Sequence, residues 1–291
     1  MSDPELPVLT LDGFGVAFGR RVILASVDLQ LPADGVDVLM GPVKTGKSTL
    51  LRALAGLNRG NARFRSWGQV HLKGQPVAAA GELPVLVQQH VAILGGSVAE
   101  ALSHHRRQRE ERSRSGWLAH AREVLAQTGL AQDVPDPEVP VLSLPLEWQR
   151  AVNILASARL EPALLMVDEP TYGLPAAAAD RLIGWLANLG RQQRLLVCLH
   201  HQGQARRLAT RVLLLAGGRV LAHEPAERFF GPCESPWVQQ FVRSGSLPLP
   251  SPDADPAELA DDVPAPPPLP PAALMAVAAA KAAEAALPLR Q

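Results

Sequence analysis

The segment from Gly41 to Thr49 reads GPVKTGKST and fits the pattern G-x-x-x-x-G-K-[ST]. Glycines in such a segment let backbone N–H groups wrap around phosphate oxygens, and the following helix directs its positive end toward them. Lys47 is long enough to reach the β- and γ-phosphates of a nucleotide, and Ser48 carries a hydroxyl suited to Mg²⁺. The apolar run VDVLM before the loop and the helical run STLLRALAGL after it supply the required strand and helix.

The pattern therefore predicts a phosphate-binding loop. Its residues are Gly41, Pro42, Val43, Lys44, Thr45, Gly46, Lys47, Ser48 and Thr49. Lys44 adds a positive charge beside the phosphates or points to solvent, and we expect solvent.

Two adjacent acids end a second apolar run. Residues 163–168 read ALLMVD, and Glu169 follows directly. Acids at the carboxyl end of a parallel strand lie where such sheets bind ligands. We expect Asp168 to hold Mg²⁺ and Glu169 to polarise an attacking water. The alternative is a solvated turn, which the phosphate-loop pattern upstream makes the weaker interpretation.

Both motifs need a framework of strands and helices. Short apolar runs predict strands at 36–40, 84–88, 163–168, 195–200 and 211–220. Helical patterns lie between them, at 118–128, 147–160, 176–189 and 204–210. This alternation predicts a parallel α/β sheet. The opening runs VLTLDGFGVAF and VDLQL alternate as an antiparallel edge sheet would.

Composition excludes several classes of protein. The chain has 291 residues and a formal net charge of zero, so no bulk field draws it to nucleic acid or anionic lipid. Its 2 cysteines give no disulfide framework, which suits a reducing compartment. The N-terminus resembles no signal peptide, and no apolar run approaches the roughly 20 residues of a membrane-spanning helix. We expect a soluble, cytoplasmic chain.

The composition changes near Leu247. Residues 246–291 are rich in Pro and Ala, which predicts an extended or disordered tail with a short helix in AALMAVAAAKAAEAAL. An untethered tail is the favoured interpretation and a docking element is the alternative.

The two motifs and their spacing resemble those of the ATP-binding subunits of ABC transporters over about residues 6–245. The resemblance implies an α/β fold, namely a P-loop NTPase RecA-like core with an antiparallel β subdomain and a helical subdomain at about 90–160. It also implies ATP and Mg²⁺ as cofactors. The implied partners are integral-membrane permease subunits and a second ATP-binding subunit, with no nucleic acid. Such a chain would lie peripherally on the inner face of the cell membrane.

Further residues take roles from this resemblance. Phe18 in VAFG falls where an aromatic ring stacks on adenine, with a core phenylalanine as the alternative. LVQQHVAILGGSV resembles the Q-loop, and counting back from GSV favours Gln89 over Gln88 as the residue that reaches Mg²⁺ and the water. LLVCLHHQ resembles the switch-histidine strand, which makes His200 the γ-phosphate sensor.

The layout is most similar to importers, especially phosphate-import ATPases. The segments GLNRGNARFRSWGQVHLKGQPV and HEPAERFFGPCESPWVQQFVRSG carry this likeness without a specific motif. The arginine-rich run SHHRRQREERSRSGW lies in the helical subdomain, where we expect a solvated helix face, with contact to a partner as the next interpretation and nucleic-acid binding as the last.

VLSLPLEWQR departs from the family's LSGGQ signature. Alignment on Gln149 and Arg150 puts residues 144–147 at the S-G-G-Q core, and alignment on Leu142 and Ser143 needs one extra residue. Both alignments lose the two glycines, whose backbone binds the γ-phosphate of ATP held by the opposite subunit.

The D-loop departs as well, because Tyr172 and Pro175 occupy a segment that usually ends in Asp. Since both missing elements act across a dimer, we expect an asymmetric dimer in which this chain hydrolyses ATP against a partner's intact signature. The alternatives are a homodimer with little turnover, a regulatory or assembly subunit, and a soluble ABC ATPase of repair or translation.

Overall fold

The computed structural model describes residues 6–77, 81–88, 96–103, 114–130, 135–260 and 263–285. These residues form two compact units. The first unit consists of the described residues within 1–33, 37–83 and 210–291, and the second of those within 34–36 and 84–209.

The strands of the described residues are β1 (Leu9–Phe18), β2 (Arg21–Leu31), β3 (Val36–Met40), β4 (Phe64–Leu72), β5 (Gln75–Pro76), β6 (Val85–Val87), β7 (Leu165–Asp168), β8 (Leu195–Cys198), β9 (Arg211–Ala216) and β10 (Arg219–Pro225). The helices are α1 (Lys47–Leu54), α2 (Val98–Ser103), α3 (Arg114–Ala126), α4 (Leu146–Ala158), α5 (Ala176–Leu189), α6 (Gln202–Leu208), α7 (Ala226–Phe230), α8 (Pro236–Ser244) and α9 (Pro271–Ala285). None of them is long and apolar enough to cross a membrane.

In the first unit the strand order is β5-β4-β1-β2-β10-β9-β3. β1, β2, β4 and β5 pair antiparallel, whereas β3 pairs parallel with β9. The five residues of β3 are all buried, including Asp37, whose carboxylate contacts the ring Nε2 of His223 on β10. This pairing lets an acid occupy a fully buried strand. The strand ends at Met40, so it delivers the chain directly into the predicted phosphate loop.

In the second unit β7 pairs parallel with both β6 and β8, in the order β8-β7-β6. Strands β7 and β8 are buried throughout, as their unbroken apolar runs predict. Helices α4 and α5 each begin directly after a proline, Pro145 and Pro175. Proline without an N–H is tolerated there, because the first turn of a helix has no intrahelical acceptor for that group.

The observed elements follow the sequence pattern closely in places. β3 and α5 have the bounds that the pattern predicts. The run at 211–220 divides into two strands, because Gly217 and Gly218 have φ values of 55° and 69° and form a turn between β9 and β10.

The C-terminal segment contains the short helix that its sequence predicts and also packs against the sheet. Residues 271–285 form α9, in which Ala273 and Ala280 are buried. Leu269 and Val277 pack against the buried residues of β1 and β2. A segment rich in proline and alanine carries enough apolar surface to cover a sheet face, and prolines lower the entropy cost of ordering it.

Candidate nucleotide-binding site

The residues of the predicted phosphate loop, Gly41–Thr49, run from the end of β3 into the first turn of α1, all within the first unit. Gly41 has φ 150° and Gly46 has φ 94°, values that residues with a side chain rarely adopt. A Cβ atom on Gly41 would lie 2.0 Å from the carbonyl oxygen of Leu215. One on Gly46 would lie 2.9 Å from Cγ2 of Ile23 and 3.0 Å from Cδ2 of Leu24, so β2 lies against this end of the loop. Both glycines are therefore required for the path of the backbone.

Lys47 is the first residue of α1 and is buried. Its Nζ atom donates to the carbonyl oxygens of Gly41 at 2.9 Å and Pro42 at 2.7 Å. Thr45 Oγ1 donates to the same Pro42 oxygen at 2.9 Å. The ammonium group is thus held across the loop, where a bound anion can take over some of its hydrogen bonds.

Lys44 is exposed at the tip of the loop, as expected for a side chain that points to solvent. Its φ of 66° lies in the left-handed region, which costs a residue with a Cβ about 1–2 kcal/mol.

Phe18 ends β1 and is half-buried, paired with Arg21 across the β1–β2 hairpin. Its ring centroid lies 5.6 Å from that of Phe64 on β4, with an interplanar angle of 55°. A half-buried ring that a neighbouring ring supports can offer a face to a base, so the geometry suits both the stacking role and the alternative of a core residue.

The two acids lie together at the carboxyl end of β7 in the second unit. Both are buried, with exposed fractions of 7% for Asp168 and 8% for Glu169. Glu169 has φ 49°, and its N–H donates to the carbonyl oxygen of Cys198 at 3.1 Å. A non-glycine residue in this region of φ is held by its surroundings, here by β8.

His200 follows β8 and contacts the same acid. Its Nε2 lies 3.2 Å from Glu169 Oε1, and its side chain is 47% exposed. His201 caps α6 instead, since its Nδ1 accepts from the N–H of Gln204 at 3.3 Å. The structure thus brings His200 and Glu169 together and gives the neighbouring histidine a helix-capping contact.

A metal ion would need oxygen ligands from this part of the chain. Asp168 Oδ1 is buried and has no hydrogen-bond partner among the described residues. Such a carboxylate oxygen suits Mg²⁺, which takes one or two carboxylates and completes its shell with water and phosphate oxygens. The described residues hold no group of three or more His, Cys, Asp or Glu that could bind a metal. Ser48 is exposed in the first turn of α1, and Gln89 lies outside the described residues.

The segment VLSLPLEWQR, which departs from the LSGGQ pattern, forms a short 3₁₀ turn, Val141–Ser143, followed by α4. No side chain caps the start of α4. The hydroxyl of Ser143 donates to the carbonyl oxygen of Pro140 at 2.7 Å, and Gln149 Nε2 donates to that of Leu144 at 2.8 Å. Leu142 is 64% exposed and Leu146 39%. The side chains of Ser143 and Gln149 thus bond to backbone carbonyl groups of the same turn, and the large apolar side chains of Leu142 and Leu146 are exposed beside it.

Several contacts near these residues have no signal in the sequence. Cys198 Sγ lies 3.5 Å from Glu169 Oε1, although nothing marks a cysteine within an apolar strand as a neighbour of an acid. In the segment after Glu169, Thr171 Oγ1 donates to Gln204 Oε1 at 2.7 Å, while Tyr172 is exposed.

Burial lowers the pKa of Arg150 on α4.

Comparison with known proteins identifies a family to which this chain is similar. A family model described as "ABC transporter" matches residues 24–172, which is just over half of the chain.

Named relatives cover most of this chain. A ribose import ATP-binding protein of Streptomyces avermitilis is 29% identical over 247 residues, 81% of this chain and 47% of the relative. An Fe(3+) ions import ATP-binding protein of Streptomyces coelicolor is 32% identical over 242 residues, 81% of this chain and 67% of the relative. A phosphate import ATP-binding protein of Mycobacterium intracellulare is 27% identical over 241 residues, 78% of this chain and 81% of the relative. The chain thus spans about half the length of the first of these relatives and a larger share of the other two.

A solved structure confirms the predicted fold. The structure of cbiO1 from Clostridium perfringens, part of the ABC transporter complex cbiONQ, aligns with a TM-score of 0.64 at 16% identity, over 83% of this chain and 97% of that one. The fold is therefore that of an ABC ATPase, with a P-loop NTPase RecA-like core, an antiparallel β subdomain and a helical subdomain.

Proposed function

Because this chain belongs to the ABC transporter family, we propose that it is an ATP-binding and ATP-hydrolysing subunit that energises a membrane importer. The observation that carries this proposal is the loop of Gly41–Thr49, with its two positive-φ glycines and the buried ammonium of Lys47. Relatives with import names align over about four-fifths of the chain and support the importer class.

Each predicted site residue has a role in this proposal. The loop and Lys47 bind the phosphates, and Phe18 stacks on adenine. Mg²⁺ is held by the oxygens of Ser48, Gln89 and Asp168. Glu169 polarises the attacking water, and His200, 3.2 Å from Glu169 Oε1, senses the γ-phosphate.

The partners in this proposal are integral-membrane permease subunits and a second ATP-binding subunit, with the chain peripheral on the inner face of the membrane. Phosphate or another small anion remains our prediction for the solute. The relatives' names span ribose, Fe(3+) and phosphate, so likeness in this domain does not select one solute.

We expect the dimer to be asymmetric, because the N-terminal end of α4 is poorly suited to bind the γ-phosphate of ATP held by a partner. Pro145 has no N–H to donate, and the exposed Leu142 and Leu146 hinder close approach of a phosphate to the backbone. The helix dipole contributes about 0.3–1 kcal/mol to a nearby anion, whereas each lost hydrogen bond to a charged group is worth about 1.5–3 kcal/mol. This chain would thus hydrolyse ATP against a partner's intact signature helix.

The same feature of the N-terminal end of α4 favours a second candidate function, a nucleotide-binding regulatory or assembly subunit with little ATPase activity of its own. The two candidates differ in turnover within the assembled transporter. Only the first predicts hydrolysis there that depends on Glu169.

The first experiment measures ATP hydrolysis by the purified chain alone, with Glu169→Gln as the control for contaminating ATPases. We expect ATP to bind and turnover to be low. Combined Leu144→Ser, Pro145→Gly and Leu146→Gly substitutions should raise turnover at least about tenfold, because the first two add a hydroxyl and an N–H donor near the γ-phosphate and the third removes an exposed side chain beside them. Fast, Glu169-dependent turnover by the unaltered chain would contradict the need for a partner.

The second experiment identifies proteins that co-purify with the chain from its native membrane. Recovery of permease subunits together with a second ATP-binding subunit supports the asymmetric importer. Recovery of soluble partners alone would overturn the transporter assignment.

A further inference from the structure

The C-terminal segment, meaning the described residues of 246–260 and 263–285, makes specific contacts with β2, the strand that follows Phe18 in the chain. The N–H of Val22 on β2 donates to Oδ2 of Asp253 at 3.0 Å, across 231 positions of sequence. In the described residues, β2 pairs with β10 only at Ser26 and Arg219. Asp253 therefore supplies an acceptor where the ladder with β10 does not reach.

Pro252, the residue before Asp253, packs against the turn at Gly217 and Gly218. Pro252 is buried, and a Cβ atom on Gly218 would lie 2.2 Å from its Cγ. The Oγ of Ser251 donates to the other carboxylate oxygen of Asp253 at 2.5 Å. Because Pro252 and Ser251 fix the backbone and the carboxylate, Asp253 is held in place to accept from Val22.

The rest of the segment covers the same hairpin. Leu269 and Val277 pack against the buried cluster of Ala17, Val22 and Ala25. Arg219 donates from Nη2 to the carbonyl oxygen of Pro268 at 3.1 Å. The segment thus contacts β1 and β2 through both apolar packing and hydrogen bonds.

These contacts involve residues that neighbour Phe18 in the hairpin. Ala17 precedes it and pairs with Val22 across the hairpin, while Phe18 itself pairs with Arg21. The residues that the segment holds are therefore the immediate neighbours of the proposed adenine-stacking ring.

We propose that Asp253 is a positioning residue for adenine, which fixes the β1–β2 hairpin so that the ring of Phe18 is presented to the base. The proposal rests on the proposed function, because it requires ATP to bind at this loop with Phe18 on the adenine. It makes Asp253 and the α9 residues that pack on the hairpin part of the nucleotide site's support.

The test measures binding of ATP and of inorganic tripolyphosphate to the full chain by calorimetry, with and without Asp253→Ala. We expect ATP affinity to fall about threefold to tenfold and tripolyphosphate affinity to stay unchanged, since only ATP uses the stacking ring. Asp255→Ala is the matched control, because the Asp255 carboxylate accepts from the N–H of Ala257 in its own turn. An unchanged ATP affinity, or an equal loss for tripolyphosphate, would overturn the proposal.

A second pair of variants tests the apolar contact. Val277→Ser removes a side chain that packs on the hairpin, whereas Met275→Ser changes a residue of the same helix that is 73% exposed. We expect only Val277→Ser to weaken ATP binding selectively. Equal effects of the two substitutions would contradict the proposal.

A double-mutant cycle tests the route through Phe18. In a Phe18→Ala background, Asp253→Ala should have no further effect on ATP affinity. A loss as large as in the unaltered chain would show that Asp253 acts elsewhere. If the unaltered chain fails to bind ATP, the proposed function itself fails, so the two failures are distinguishable.

Discussion

Arg181 on α5 donates two hydrogen bonds to the carboxylate of Glu147 in the first turn of α4, from Nε at 2.9 Å and from Nη2 at 2.6 Å. The Glu147 side chain is 8% exposed and that of Arg181 is 47% exposed. A buried carboxylate with a bidentate partner has a fixed position, so this pair anchors the start of α4. The hydrogen bond raises the pKa of Arg181, so its contribution to stability is present at all ordinary pH values and is lost only in strong alkali.

Substitution of Arg181 should destabilise the second unit, because it leaves the buried carboxylate of Glu147 without its partner. We expect Arg181→Ala to lower the melting temperature by several degrees. Arg181→Lys should lower it less, since lysine keeps the charge and loses the second hydrogen bond. Thermal unfolding followed by circular dichroism measures both changes.

The control for that series is Arg207→Ala. Arg207 pairs with Asp180 at 2.5 Å, but both side chains are about half exposed, at 51% and 54%. Exposed pairs contribute about 0–1 kcal/mol, so this substitution should leave the melting temperature nearly unchanged. Equal effects of Arg207→Ala and Arg181→Ala would contradict the anchoring role of Glu147.

Lys44→Gly should stabilise the protein by about 1 kcal/mol, because glycine adopts a φ of 66° without the penalty that a Cβ atom carries. Urea denaturation measures this free energy. Lys44→Ala separates charge from backbone, since it removes the ammonium and keeps the strained φ. A gain in stability from the alanine variant as large as that from glycine would show that the charge of Lys44, and not its φ, is the unfavourable feature.

Gly218→Ala should destabilise the first unit more than Gly217→Ala. Both positions have positive φ, but the new Cβ would lie 2.2 Å from Pro252 at position 218 and no closer than 3.7 Å to any atom at position 217. We expect about 1 kcal/mol from φ strain at each position, and at least about 1 kcal/mol more at 218 from the clash. Urea denaturation of both variants measures the difference, and equal losses would show that Pro252 yields without cost.

The two cysteines should react slowly in the native protein. Cys198 is 1% exposed and Cys233 is 7% exposed. Buried thiols are inert toward disulfide reagents until the chain opens. Titration with a chromogenic disulfide should give two thiols per chain in denaturant and a much slower reaction without it. Cys198→Ser and Cys233→Ser assign the phases, and a fast native reaction lost in Cys198→Ser would contradict the burial of Cys198 beside Glu169.

The sequence alone predicted the glycine loop of residues 41–49, the two acids at the end of β7 and the alternation of strands and helices. These features are local, because the glycine spacing, the apolar runs and the position of Asp168 and Glu169 depend on neighbouring residues and on the period of each element. For the same reason the predicted bounds of β3 and α5 are those observed. The roles of Phe18, Gln89 and His200 came from family resemblance and remain predictions.

Only the tertiary structure decided which distant residues meet. Glu147 and Arg181 are 34 positions apart, Cys198 and Glu169 are 29 apart, and Asp253 and Val22 are 231 apart. Periodicity places each residue on an element, but the packing of elements selects its partner. The C-terminal segment shows this most clearly. Its composition predicts an extended or disordered tail with a short helix. In the structure Asp253 accepts from the N–H of Val22 and Pro252 packs against Gly218, so the strands of the sheet provide the surface on which the segment folds.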